Sequence, residues 1–218
     1  TRLGLTEFAS FAICDNRRPE YVKHSIVDML KQRIYGIAAG YEDCNDAAQL
    51  RFDAMHKLAV GRMFSTGLPL ASQPSLSRFE NLVDATTNAA LQRLLVHLFV
   101  RRRKKAPKVL RLAMDTTCDE TYGYQQMSFY NGYYETFCYA PLFIFTECGF
   151  PLCALLRPGN PNPIDDAIRM LKQVFRELRL SWPDVRIELS ADAAFASSEM
   201  FNFLEDQRVT YFISAAGH

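Results

Sequence analysis

Two aspartates close apolar runs. Asp115 follows Val109-Leu110-Arg111-Leu112-Ala113-Met114, and Asp192 follows Val185-Arg186-Ile187-Glu188-Leu189-Ser190-Ala191. Carboxylates brought together at strand ends can hold a hard divalent cation, which takes oxygen ligands and keeps several waters. A pair of such cations cleaves phosphodiesters, one activating the nucleophile and one holding the leaving oxygen. Asp115 and Asp192 are thus the candidate catalytic residues and the candidate ligands for Mg2+ or Mn2+. The plainer reading makes Asp115 a turn residue after a strand and Asp192 a helix N-cap. Glu188 shares a strand face with Ser190 and Asp192. At about 3.3 Å per residue it lies roughly 13 Å back, too far to share an ion with Asp192.

The elements that must position these acids fall in the second half. Val109 to Asp115 reads as a strand. Pro141 to Glu147 and Pro151 to Leu156 read as a second and third, joined by a turn at Gly149. Asn162 caps a helix with Pro163 at its first position and Asp165 and Asp166 in its first turn. The stripe Ile164, Ala167, Ile168, Leu171, Val174, Phe175 and Leu178 makes that helix strongly amphipathic. Val185 to Asp192 is a fourth strand, Ser197 to Gln207 a helix and Val209 to Ser214 a fifth strand. Three strands followed by helix, strand, helix, strand is the order of a ribonuclease H-like core. A right-handed crossover sets the fourth strand beside the first, so Asp115 and Asp192 are expected at neighbouring strand ends.

The first half reads as helical. Ile26, Met29, Leu30, Ile34 and Ile37 recur at helical spacing. Asn45 or Asp46 is expected to cap a helix containing Ala47, Leu50, Ala54 and Leu58. In SQPSLSRFEN, Ser75 is the expected N-cap of a helix with Leu76, Phe79 and Leu82 inward. Ser77, Arg78 and Asn81 then lie off the stripe near the helix start, the layout of a recognition helix, although any capped surface helix shares it.

Charge divides the chain the same way. Of its 218 residues, 1–105 carry 16 Lys and Arg against 10 Asp and Glu, and 106–218 carry 9 against 14, so a net charge of +1 hides +6 and −5. A basic half suits polyanion binding. The boundary falls at Arg101-Arg102-Arg103-Lys104-Lys105-Ala106-Pro107, either a solvated helix end or a phosphate-contacting hinge. Two domains are expected, 1–105 and 106–218.

Composition is that of a globular chain, 49% hydrophobic and 22% charged, which excludes disorder and coiled coil. No apolar run approaches the roughly 18 residues of a membrane span. The opening TRLGLTEFASFAIC has neither an initiator Met nor a basic-then-apolar signal layout. Six Cys without a C-x-x-C pair, and four scattered His, argue against structural zinc and for reduced thiols. The stretch from Tyr122 to Tyr139 holds six Tyr. It reads as a crossing loop packing Phe129 and Phe137 on the core, or as a surface whose rings stack on unpaired bases. Arg157 and Asn160 of RPGN either shape a turn or approach a phosphate.

Over essentially its whole length the chain resembles bacterial insertion-sequence transposases of the DDE type. The resemblance rests on HSIVDMLKQRIYGIAAGYEDCNDAAQLRFD, LASQPSLSRFEN, NGYYETFCYAPLFIF, LLRPGN and the Asp192 strand. It implies a mixed α/β fold: a helical N-terminal DNA-binding region, then a ribonuclease H-like mixed sheet with flanking helices. It implies metal-dependent cleavage at transposon ends and strand transfer into target DNA, with Asp115 of LRLAMDTT as first acid and Asp192 of ELSADAAF as second. The expected partner is double-stranded DNA, bound through Ser77, Arg78, Asn81 and the cations Arg101, Arg102, Arg103, Lys104 and Lys105. A homo-oligomer on DNA, no membrane, and a DNA-associated place in the bacterial cytoplasm complete the expectation. The family commonly has His-Gly-x-Gln where Tyr122-Gly123-Tyr124-Gln125 stands, and Asp-Ser-Gly-Phe where Asp192-Ala193-Ala194-Phe195 stands. Its third acid, a Glu on a helix after strand five, has no position here. The chain is therefore expected to be incomplete and not to transpose DNA by itself. The alternatives are a catalytically inactive DNA-binding remnant and another ribonuclease H-like nuclease.

Overall fold

The computed structural model describes residues 4–65 and 67–214, and the side chain of Pro163 is not described. The chain separates into two compact units, 1–91 and 92–218.

The first unit is helical: α1 (Leu5–Ser10), α2 (Ile26–Ala38), α3 (Ala47–Leu50), α4 (Ala54–Val60) and α5 (Gln73–Glu80). Its core gathers Ile26 and Met29 of α2, Ala47 of α3, and Leu76 and Phe79 of α5, with Ile13, Cys44 and Ala71 between the helices. Gln32 joins this core as a buried polar group with both amide ends used. It donates to the Ala71 carbonyl and accepts from the Ala71 N–H, each at 3.0 Å.

Three local expectations change here. The helix read across Ala47 to Leu58 is two helices, because Asp53 is extended and its carboxylate accepts the His56 N–H at 2.6 Å, opening α4 anew. Leu58 and Ile37, placed on buried stripes by spacing, are both more than half exposed. The N-cap of α5 is Ser72 and not Ser75, since Pro74 occupies the first turn, where its missing N–H costs no helix bond. Arg78 therefore sits in the last turn of α5 and Asn81 is its C-cap, its amide donating back to the Ser77 carbonyl at 2.9 Å.

Helix α6 (Ala85–Arg102) contains the boundary between the units. The division thus precedes the basic run used to divide the sequence. In the second unit follow β1 (Val109–Thr116), β2 (Asp119–Glu120), β3 (Phe129–Asn131), β4 (Thr136–Tyr139), β5 (Leu142–Thr146), β6 (Pro151–Leu155), α7 (Pro163–Ser181), β7 (Arg186–Ala191), α8 (Ser198–Asp206) and β8 (Thr210–Ile213). Five strands form one sheet in the order β6-β5-β1-β7-β8. β5 is antiparallel to both β1 and β6, whereas β7 is parallel to both β1 and β8. That order and those directions are ribonuclease H-like.

Alternation explains which face is covered. In β1 the residues Leu110, Leu112 and Met114 are buried, while Arg111, Ala113 and Asp115 are exposed. The buried face meets α7 through Ala167, Leu171, Val174, Phe175 and Leu178, together with Phe195, Met200 and Leu204. Each of the larger of these side chains, Leu, Val, Phe or Met, stabilises the fold by about 1.5–3 kcal/mol relative to exposure. Asn162 caps α7 as the sequence predicts, its side chain accepting the Ile164 N–H at 3.0 Å.

The crossing segment is not a loop. β2, β4 and β3 make a second, three-stranded sheet. Phe129 and Phe137 do not pack on the core: both are exposed, Phe137 against the edge of Tyr130 at 5.6 Å. The alternation of β4 turns Cys138 inward instead, where it is fully buried.

Candidate active site

β1 and β7 run parallel in register from Val109↔Arg186 to Met114↔Ala191. Asp115 and Asp192 are each one residue further. They occupy neighbouring C-terminal strand ends, with backbones about 5 Å apart by the normal strand spacing. Both are exposed and lie on the sheet face opposite the core. Asp115 accepts the Thr116 N–H at 2.8 Å, and Asp192 accepts the Ala194 N–H at 3.1 Å as cap of a 3-10 turn, Ala193–Phe195. Each carboxylate keeps further lone pairs, so the pair offers hard oxygen donors of the kind Mg2+ and Mn2+ accept, with water completing the shell. Glu188, earlier in β7, is engaged elsewhere, held by Arg111 at 2.9 Å. Glu205 of α8 accepts the Tyr211 hydroxyl at 3.1 Å. Among the described residues, no group of three or more His, Cys, Asp or Glu side chains is placed to hold a metal ion.

A buried strut fixes the residue after the first acid. Arg157 donates from Nε to the Ala140 carbonyl at 2.9 Å and from Nη2 to the Thr116 hydroxyl at 2.7 Å. It is 2% exposed, so it does not approach a phosphate and instead ties β1 to the chain leaving β6. Burial pushes its guanidinium down from the usual arginine range. Gly159 belongs to the same clamp. A side chain there would strike the carbonyl oxygens of Cys138 and Phe129, so only glycine lets the RPGN turn lie on the small sheet. The Gly159 carbonyl accepts the Asn131 amide at 2.7 Å, joining NGYY to RPGN.

Asn131 also shapes the tip of the small sheet. Its side-chain oxygen accepts the N–H groups of Tyr133 and Tyr134 at 3.0 and 3.3 Å. Tyr134 sits within the field of the two acids. Burial first, then the negative charges of Cys118, Tyr133, Asp115 and Asp192, hold its phenol above the usual range. Sequence reasoning saw Asn131 and Tyr134 only as members of the Tyr-rich segment and gave neither a role of its own, although Asn131-Gly132 between aromatic runs is a hairpin signal. The same reasoning had no means of pairing Thr116 with Arg157.

The remaining sequence candidates divide between the units. In the first, Arg78 and Asn81 are exposed, whereas Ser77 is partly buried and hydrogen-bonded to Gln73 at 3.2 Å. In the second, Arg101 and Arg102 end α6 on its exposed side, and Lys104 and Lys105 are exposed after it. Arg103 is drawn into the fold, its guanidinium 5.0 Å from the Phe99 ring centre and 3.9 Å from Glu147. All six cysteines are free thiols, and no described helix is long and apolar enough to cross a membrane.

The chain belongs to the transposase DDE domain group 1 family, whose model matches residues 1–217. No curated protein matches it in sequence. Among solved structures it is similar to the piggyBac transposase in a synaptic complex with hairpin DNA, at 12% identity and a TM-score of 0.44 over 97% of this chain and 47% of that one. It is also similar to the Drosophila P element transposase in a strand transfer complex, at 13% identity and 0.35 over 84% and 44%. A third likeness is to the Mos1 mariner paired-end complex with Mn, at 10% identity and 0.36 over 90% and 70%. The chain spans about half the length of the first two.

Proposed function

We propose that this chain carries the catalytic core of a DDE-type DNA transposase that cleaves phosphodiesters at transposon ends and joins them to target DNA. The observation that carries the reading is the register of β1 and β7, which aligns Asp115 with Asp192 in a chain of this family. Asp115 and Asp192 would hold Mg2+ or Mn2+, which when bound supplies an activated nucleophile and stabilises the leaving oxygen. The residues of the chain do the positioning. Arg157 fixes Thr116 and thereby the backbone at Asp115. Burial first, and the negative charges around it, hold the Tyr134 phenol above the usual range, so that it stays protonated. Tyr122, Tyr124 and Tyr133 are strongly exposed and offer faces for unpaired bases. Duplex DNA, bound as a homo-oligomer, is the proposed partner. Arg78 and Asn81 serve the first unit, and Arg101, Arg102, Lys104 and Lys105 meet phosphates along the path.

The test is cleavage of a supercoiled plasmid carrying the element's ends, in Mn2+, beside calorimetric Mn2+ titration. Asp115→Asn and Asp192→Asn should each lower nicking by at least about a hundredfold and remove most ion binding, the scale of losing charge stabilisation at a reacting centre. DNA affinity and the circular dichroism spectrum should remain. Undiminished nicking by either variant would sink the assignment.

A further inference from the structure

The first unit contains a cavity of about 580 Å³, lined by Arg17, Lys23, His24, Arg51 and Arg78, with Tyr21 and Phe79 among its walls. No carboxylate is among the described residues that line it. Arg17 is already compensated, forked onto Asp15 at 2.7 Å through two nitrogens. Lys23 and Arg78 are exposed at the rim. Arg51 is the unsatisfied member. Its guanidinium lies 4.9 Å from the Phe52 ring centre, and its Nε is buried with no hydrogen-bond partner among the described residues. The local field agrees: burial first, and then the charge of Arg62, hold the His24 imidazole below its usual range, with Arg51 and Arg17 acting the same way and Asp28 opposing.

Convergent arginines with no carboxylate among them select a phosphate, whose oxygens match the guanidinium fork. The walls are not uniformly polar, because Met29, Phe79 and Leu82 supply apolar surface and Tyr21 an exposed ring. The volume lies in the range of small-ligand sites, roughly 300–1,000 Å³. A double helix cannot enter such a space, but one unpaired nucleotide can. We infer that this cavity binds a single nucleotide, its phosphate against Arg51, Lys23 and Arg78 and its base ring against Tyr21. The shared chemistry is a phosphomonoester bearing a planar ring, whether a free nucleotide or the 5′ end of a DNA strand. This site is distinct from Asp115 and Asp192 and does not depend on their role.

The experiment titrates the full chain with thymidine 5′-monophosphate by calorimetry, with thymidine and inorganic phosphate as controls. The monophosphate should bind, thymidine should not, and phosphate alone should bind at least tenfold more weakly. Arg51→Gln should weaken monophosphate binding by tenfold or more, about 1.4 kcal/mol. Lys23→Ala, at an exposed position, should weaken it by roughly threefold, the scale of a rim ion pair. Asp115→Asn should bind it unchanged. Competition by a 5′-phosphorylated single strand, and not by a blunt duplex, supports a strand end as the source. Failure of the strand to compete supports a free nucleotide. Absence of monophosphate binding, equal binding of thymidine, phosphate binding as tight as the monophosphate, or no loss in both the Arg51 and Lys23 variants would overturn the inference.

Discussion

The two sheets of the second unit use similar residues in opposite ways. In the five-stranded sheet, alternation sends Leu110, Leu112, Met114, Ile187 and Leu189 inward against α7, and each is at most 2% exposed. In the three-stranded sheet the rings of Phe129, Tyr130 and Phe137 face outward, and what is buried is Cys138. The large sheet is held by apolar burial. The small one is held by polar and steric fittings: Asn131 on Gly159, Gly159 against the backbone of two strands, and Thr121 donating its N–H to the Phe137 carbonyl at 2.9 Å. Apolar residue type therefore predicts stability in one sheet and an outward surface in the other. The acids stand on the rigid sheet, and the rings stand on the sheet whose side chains are free to meet a partner.

Substitutions separate the two kinds of support. Leu189→Ala in β7 should cost the most, about 2–5 kcal/mol, because it opens a cavity in the large core. Urea unfolding measures it, and a loss below 1 kcal/mol would break the contrast. Gly159→Ala should cost less, about 1–3 kcal/mol, by pressing a Cβ on the carbonyls of Cys138 and Phe129. Its effect should appear as faster amide exchange in β3 and β4, with β1 and β7 still protected. Uniform exchange throughout would mean that the small sheet is not separately clamped. Tyr124→Ala should change stability by no more than about 0.5 kcal/mol, since the ring is fully exposed. The same variant should weaken binding of single-stranded DNA by roughly 1–3 kcal/mol if its ring stacks on a base. Unchanged affinity would leave the outward rings without that role.

The large sheet was legible because each strand carries its own signal. Alternating burial, the capped and strongly amphipathic α7, and the turn at Gly149 are local properties, and they gave all five strands within a residue or two. The small sheet was not legible in the same way. Its strands are two to four residues long and expose their rings, so neither length nor alternation marks them. Asp46 precedes α3 as its type suggests, but the break that lets Asp53 cap a second helix, α4, has no local mark, since Asn45, Asp46 and Asp53 are all suitable caps by type.

By itself the sequence determined the order of elements and the two acids as strand-end carboxylates, because period-two burial and helix caps are set by neighbours along the chain. Only the tertiary structure decided what those acids have beside them. The pairing of β1 with β7 brings together residues 77 positions apart, and the Arg157 strut and Asn131 clamp depend on contacts of 41 and 28 positions. No local periodicity encodes such separations. They are selected when burial of Arg157 and close approach at Gly159 leave one arrangement in which Arg157 Nε and Nη2 find the Ala140 carbonyl and the Thr116 hydroxyl, and that arrangement holds Thr116, and with it Asp115, in place.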